Sequence, residues 1–277
     1  MSITSIIGGH GFVGREICKI LESIGGSYNV IGRGDVISRG EKFDRIIYCA
    51  GEGDCQNKPF DVFDANCSLL YHVLKNTNFN KLVYISSTRL YMNGDSSDES
   101  SSLHVEDSDN RRLFNLTKMA SEELCLRSKK NITILRPSNI YGTALKSTLF
   151  LPSIIKDAIT RGVVNMFVDK SYAKDYVSVK NVAEACVNFS SRDIEYNKII
   201  NVASGKNVTA SDLAKLLIKE TNCKVIWHET PNRKEEFPVI KNELLRKYMP
   251  EMKIDDVMRD MESMISQFRM CMGDVKK

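Results

Sequence analysis

Apolar and polar positions along this chain switch between two periods at short intervals. Residues 2–7 form a β-rich run that ends in glycines. Phe12, Val13, Ile17, Ile20, Leu21 and Ile24 then recur at spacings of three and four, which puts them on one face of a helix that Gly25-Gly26 ends. Tyr28–Ile31, Arg45–Ala50, Lys81–Ser86 and Asn131–Leu135 read as further strands, with helical stretches between most of them. Strands alternating with helices predict a doubly wound parallel α/β sheet whose ligands bind at the carboxyl ends of the strands. About ten residues separate Arg33 from the strand near Arg45. A helix-and-strand crossover needs more than that, so one βα unit is expected to be missing or collapsed.

Residues 93–110 are rich in Ser, Asp, Glu and Asn and read as a surface loop, a plain solvated connection rather than a lid. In the last third, Lys198–Ala203 and Val225–Trp227 read as strands and Ser211–Glu220 as a helix. Ile254, Val257, Met258, Met261, Met264 and Ile265 lie at helical spacing, a stripe expected to pack into a core. The expected division is residues 1–142 as a dinucleotide-binding domain. Residues 143–277 then form mainly a small α/β substrate lobe, with the stretch near 170–205 returning to the first domain.

Composition changes this picture little. A formal charge of +4 on 277 residues gives no warrant for nucleic-acid or membrane binding and suits an anionic small ligand. Eight cysteines without C-x-x-C or zinc-like spacing, several in apolar runs, read as free thiols of a reducing, cytoplasmic compartment. Four histidines form no ligand cluster, and no metal site is expected. No run approaches membrane-spanning length, and residues 2–7 run straight into glycines rather than forming a signal segment.

The chemistry begins at Gly8-Gly9-His10-Gly11-Phe12-Val13-Gly14, between the first strand and the first helix. Gly8 permits a tight turn, Gly11 lets backbone approach a pyrophosphate, and Gly14 allows close helix–strand packing. The N–H groups of Phe12 and Val13 open the helix, whose partial positive charge suits phosphate. After the second strand come Gly32, Arg33, Gly34 and Asp35. Arg33, with Arg39 in reserve, could pair a ribose 2′-phosphate, whereas Asp35 stands slightly late for a ribose hydroxyl. NADP is therefore the preferred cofactor and NAD the alternative; the plainer reading of Arg33 is a solvated side chain.

This G-x-x-G-x-x-G turn resembles the extended, nucleotide-sugar-modifying branch of the short-chain dehydrogenase/reductase superfamily. The later motifs resemble it in order. Tyr48-Cys49-Ala50-Gly51 is similar to the strand end lining the cofactor, and Asn66 stands where the family often has asparagine. Ser86-Ser87-Thr88-Arg89-Leu90-Tyr91 resembles the S-S/T-x-x-V-Y run, with Ser87 at the catalytic Ser/Thr position. Arg136-Pro137-Ser138-Asn139-Ile140-Tyr141-Gly142 resembles R-P-x-N-x-Y-G. Asp175-Tyr176-Val177-Ser178-Val179 and Asn201-Val202-Ala203-Ser204-Gly205 resemble two later signatures. The resemblance implies a Rossmann-like fold and hydride chemistry on a nucleoside diphosphate sugar, as reductase or epimerase, in surface polysaccharide precursor synthesis. Thr88-Arg89 lacks the acidic pair that follows the catalytic Thr of one dehydratase type. The resemblance implies that Gly8, Gly11, Phe12, Val13, Gly14, Arg33, Cys49, Ala50, Gly51, Ser86, Lys118 and Pro137 bind cofactor. Ser87, Thr88, Asn139 and Lys174 would meet the sugar nucleotide, with Lys174 where the family often has arginine. It also implies a homodimer through the helix bearing Met119, Leu124 and Leu126, although core packing explains those residues equally well.

One position departs. The family's Y-x-x-x-K reads Phe114-Asn115-Leu116-Thr117-Lys118 here. Phenylalanine cannot transfer a proton, and a lost acid/base group lowers rate by ~10²–10⁴. Three readings stay open: an introduced Tyr→Phe change that traps a substrate complex; another proton carrier such as Tyr91, Thr88, His104 or water; or a non-catalytic NADP-binding protein acting as sensor or complex component. In a purely structural reading, Ser86 and Ser87 would end a strand and Lys118 would be a solvated helix residue.

Overall fold

The computed structural model describes residues 2–32, 34–145, 149–192, 198–229 and 235–273. In chain order its elements are β1 (Thr4–Ile7), α1 (Phe12–Ser23), β2 (Tyr28–Ile31), β3 (Lys42–Tyr48), α2 (Pro59–Phe63), α3 (Leu69–Asn76), β4 (Asn78–Ile85), α4 (Arg112–Arg127), β5 (Ile132–Pro137), β6 (Asn139–Tyr141), α5 (Phe150–Thr160), β7 (Val163–Met166), β8 (Ala173–Ser178), α6 (Val179–Ser191), β9 (Lys198–Val202), β10 (Asn207–Thr209), α7 (Ala210–Thr221), β11 (Lys224–Trp227), α8 (Glu243–Tyr248) and α9 (Val257–Gly273). A π-helical turn, Asp64–Ser68, joins α2 to α3.

Six parallel strands form the main sheet in the order β2-β1-β3-β4-β5-β9. Neighbouring residues on each strand face opposite sides, so each side has its own core. Ile6, Ile47, Val83 and Leu135 pack with Ile17 and Leu21 of α1 and Val182, Ala185 and Phe189 of α6. Ile7, Ile46, Tyr48, Leu82, Tyr84 and Ile134 pack on the opposite side with Leu70, Val73 and Cys125 of α3 and α4. The short passage after β2 has the expected consequence. Among the described residues no helix stands between β2 and β3, β3 pairs with β1 on the side away from β2, and β2 is left as the sheet edge.

Beyond β5, a three-stranded sheet of order β10-β8-β6 and the parallel pair β11-β7 pack with α5, α7 and α9. Met261, Met264, Ile265 and Phe268 of α9 are buried there, so the methionine stripe is core. On β8, Tyr176 faces this core while Val177 faces the core beneath the main sheet. α6 then packs along α1, and β9 pairs with β5 from Thr133↔Lys198 to Pro137↔Val202.

The polar stretch 93–110 is not a plain solvated connection. Its first part is laced to residues 236–241. The Asn93 and Glu236 N–H groups donate to Glu236 O and Asn93 Oδ1, both at 2.8 Å. Ser97 is buried, donates to Val239 O at 2.7 Å and accepts from Lys241 N at 2.9 Å. Composition shows that such groups need partners, but not whether water or a distant strand supplies them. No helix among the described residues is long and apolar enough to cross a membrane.

Candidate active site

Steric exclusion builds the glycine turn. Gly8 has φ +92°, and a Cβ there would lie 2.6 Å from Ala50 N. A Cβ on Gly14 would lie 2.4 Å from Gly8 O and 2.5 Å from Gly9 Cα, so α1 presses on the turn with no room for a methyl group. Gly11 is the N-cap of α1. Among the described residues no side chain caps that end, and its first turn carries no acidic residue. The leading N–H groups, including those of Phe12 and Val13, are left for an anion. Gly8, Gly11, Gly32, Cys49, Ala50 and Gly51 line a cavity of about 710 Å³ over the ends of β1, β2 and β3, a size that suits a cofactor. At the end of β2 the Asp35 carboxylate folds back and accepts the Gly32 N–H at 2.7 Å. Arg33 lies outside the described residues, and Arg39 is exposed.

The wall beyond Gly51 is braced by a residue that the π-helical turn buries. Asn66 Nδ2 donates to Glu52 O at 3.0 Å and to Thr117 Oγ1 at 3.2 Å, while Asn66 Oδ1 accepts Glu52 N–H at 3.2 Å. One amide thus ties the loop after β3 to α4. Lys118 is buried on α4 and donates to Ile85 O at 2.8 Å, with Nζ 4.9 Å from the Tyr84 ring. Burial lowers its pKa to about 8, against the attraction of Glu122. Ser86 is buried at the end of β4, and its Oγ has no partner among the described residues. Ser87 Oγ accepts the Arg89 N–H at 3.1 Å, capping the Thr88–Tyr91 turn and leaving its own O–H to donate. Thr88 is buried in that turn, and Pro137 closes β5.

Phe114 and Lys118, four apart on α4, share a face: Lys118 Nζ lies 5.8 Å from the Phe114 ring. The Arg111 guanidinium stands over the same ring at 4.5 Å. Next to it is a group of charges of which sequence reading singled out only Lys174. Arg89 is 7% exposed and reaches Asp109 and Glu235, each at 2.8 Å. Glu235 also accepts from Tyr172 Oη at 2.7 Å and lies 3.7 Å from Lys174 Nζ. Its cationic and hydroxyl neighbours outweigh its burial and hold its pKa down at about 2. Burial, together with the Arg89 and Arg111 charges, lowers Lys174 to about 8. Polar residues at 89, 109, 111 and 235 carry no common spacing. The run Ser86-Ser87-Thr88-Arg89-Leu90-Tyr91 carries no signal that Arg89 is buried.

The remaining motif residues hold the frame. Arg136 forms a buried fork with Glu122, Nε to Oε1 at 2.9 Å, and donates from Nη1 to Tyr91 Oη at 2.6 Å. Tyr91 Oη in turn donates to Asn201 Oδ1 at 2.9 Å. This corrects the expectation that Tyr91 could carry a proton: it is buried, doubly committed and pushed up to about 12, chiefly by burial. His104 is exposed. Asn139 Nδ2 donates to Asp175 O at 2.8 Å, tying β6 to β8. Asp175 accepts from Ser138 Oγ, from the N–H groups of Ser204, Gly205 and Lys206, and from Ser204 Oγ.

Residues 4–203 match the family model described as the NAD dependent epimerase/dehydratase family. A curated relative, the dTDP-L-rhamnose 4-epimerase of Burkholderia thailandensis, is 26% identical over 113 residues, which span 38% of this chain and 31% of that protein. Among solved structures, MoeE5 in complex with UDP-glucuronic acid and NAD matches with a TM-score of 0.82 at 16% identity, covering 98% of this chain and 100% of that one. The UDP-N-acetylglucosamine 4-epimerase of Methanobrevibacter ruminantium M1, in complex with UDP-N-acetylmuramic acid, matches with a TM-score of 0.79 at 17% identity, covering 96% and 98%. At these identities the likeness is one of fold.

Proposed function

Because this chain belongs to the NAD dependent epimerase/dehydratase family, we propose that it is a nucleotide-sugar reductase or epimerase acting by hydride transfer at a sugar carbon. The observation that carries the reading is the pairing of two features: a turn with no room for a Cβ at Gly8 or Gly14 beneath an uncapped helix end, and a buried Lys118 on the far side of Gly51. A Cβ on Gly51 would lie 3.7 Å from Lys118 Nζ, so the two features share one wall. In this reading residues 1–142 are the dinucleotide-binding domain and residues 143–277 mainly a substrate lobe, with the stretch near 170–205 returning to the first domain.

The bound nicotinamide would supply the hydride acceptor and donor. The α1 N-terminus would hold its diphosphate, and Lys118, charged below about pH 8, would hold the ribose and favour negative charge on the reacting oxygen. Ser86 and Ser87 would orient that oxygen from the end of β4. Asn139, which keeps a second amide N–H, and Lys174 would meet the substrate diphosphate. Phe114 leaves the proton to Thr88, His104 or water, because Tyr91 is committed to Arg136 and Asn201. We read the cofactor as NAD rather than NADP. The Asp35 carboxylate at the end of β2 can accept from a ribose hydroxyl and would repel a 2′-phosphate.

Thermal unfolding with each ligand tests the reading. NAD at ~100 times its Kd adds about 2.7 kcal/mol to stability. NAD is expected to raise Tm more than NADP, and Asp35→Ala to narrow that gap. Nucleoside diphosphate sugars should add a further rise to the NAD-loaded protein. No shift with either dinucleotide would overturn the reading.

A further inference from the structure

Beside Phe114 the charges do not balance. Three cations, Arg89, Arg111 and Lys174, meet two carboxylates, Asp109 and Glu235, and both carboxylates are fully engaged. Asp109 accepts from Arg89 Nη2, from the Arg111 backbone N–H and from Asn115 Nδ2, each at 2.8 Å. Glu235 accepts from Arg89 and Tyr172 and lies beside Lys174. Among the described residues the Arg111 guanidinium has no carboxylate partner, and its Nε is buried with no hydrogen-bond acceptor. Its Nη2 lies 3.1 Å from where a Cβ on Gly53 would stand, in the loop that continues the cofactor wall. It also stands over the Phe114 ring at 4.5 Å.

Arg111 is half-buried, and a guanidinium whose Nε is shut off from water without an acceptor is unfavourable, a cost that a ring face offsets only in part. Burial and the nearby Arg89 charge both lower the Arg111 pKa, a sign that its charge is under-compensated. An anion from outside the chain would balance it. Arg111 stands over residue 114, on the face of α4 that also carries Lys118, which is where the reacting sugar would lie. In the proposed reading the diphosphate would meet Asn139 and Lys174. What is left for Arg111 is an anionic substituent on the sugar, and its planar fork fits a carboxylate.

We infer that Arg111 is a specificity-determining residue that takes the carboxylate of an acidic sugar, so that the substrate is a nucleoside diphosphate uronate or a similarly carboxylated sugar. This rests on the nucleotide-sugar reading and narrows it. The probes are UDP-glucuronic acid and UDP-glucose, which differ in carboxylate against hydroxymethyl, together with their thymidine diphosphate counterparts and the free nucleoside diphosphates. Calorimetry on the NAD-loaded protein should give the uronate an affinity roughly 10- to 100-fold above the neutral sugar. Arg111→Gln should bring the two affinities together, and Arg111→Lys, which keeps the charge without the fork, should retain part of the ratio. If the uronate and the neutral sugar bind the unaltered protein alike, the inference falls and the nucleotide-sugar reading stands. If Arg111→Gln weakens both probes by one factor, Arg111 is a structural brace and the inference falls. If neither sugar nucleotide binds, both fall.

Discussion

Restoring a phenol at position 114 is the most direct test of how this site handles a proton. Phe114→Tyr adds one hydroxyl to a half-buried ring already flanked by two cations, Lys118 Nζ at 5.8 Å and the Arg111 guanidinium at 4.5 Å. A unit charge about 6 Å away is worth about 3 kcal/mol at an effective dielectric of 20, or roughly two pKa units. Lys118 alone would therefore draw a phenol from its usual value near 10 down to about 8. Such a group exchanges protons near neutral pH, and a positioned acid/base contributes ~10²–10⁴ in rate. The assay is turnover of a nucleotide-sugar panel, followed by product separation and by nicotinamide absorbance, across pH 6–10. The expected result is a gain of at least ~10²-fold in kcat and a new pH limb near 8. A variant that binds cofactor as tightly as its parent, yet gains neither rate nor limb, would refute the reasoning. Residue 114 would then not face the reacting oxygen.

Other predictions concern the frame. Gly14→Ala forces a methyl group to within 2.4 Å of Gly8 O; NAD affinity should drop at least ~10-fold, with about 1–3 kcal/mol of stability lost to overpacking, and unchanged NAD binding would count against the turn as cradle. Glu122→Gln leaves Arg136, 3% exposed, without its carboxylate; this should remove about 3–5 kcal/mol, and the paired change Glu122→Leu with Arg136→Met should recover most of it in a denaturant melt. The buried Lys118 gives a pH signature. The folded chain loses its proton at about 8, the unfolded chain near 10.5. The penalty for burying the charge is thus complete below pH 8 and fades as pH rises through 10.5, so stability should climb across that window by about 3 kcal/mol from this group. Lys118→Met should flatten the climb, and an unchanged slope would contradict the burial argument.

Much of the fold was legible locally. Period-two and period-3.6 patterns identify β1, α1, β2, β4 and β5 because a side chain's exposure there depends on neighbours within four positions. The glycine turn was legible because glycine is the one residue that meets its steric demand. The short passage before β3 bounded the topology, since about ten residues cannot hold a helix and a strand. The cluster around Phe114 was not legible. It joins Arg89 to Asp109 and Glu235 across 20 and 146 residues, and no periodicity links such positions. The same holds for Ser97 with Val239 and for Tyr91 with Asn201. These bonds depend on the path of the chain between elements and on which buried polar group is left needing a partner, and that demand exists only once the layers have packed and water has been excluded.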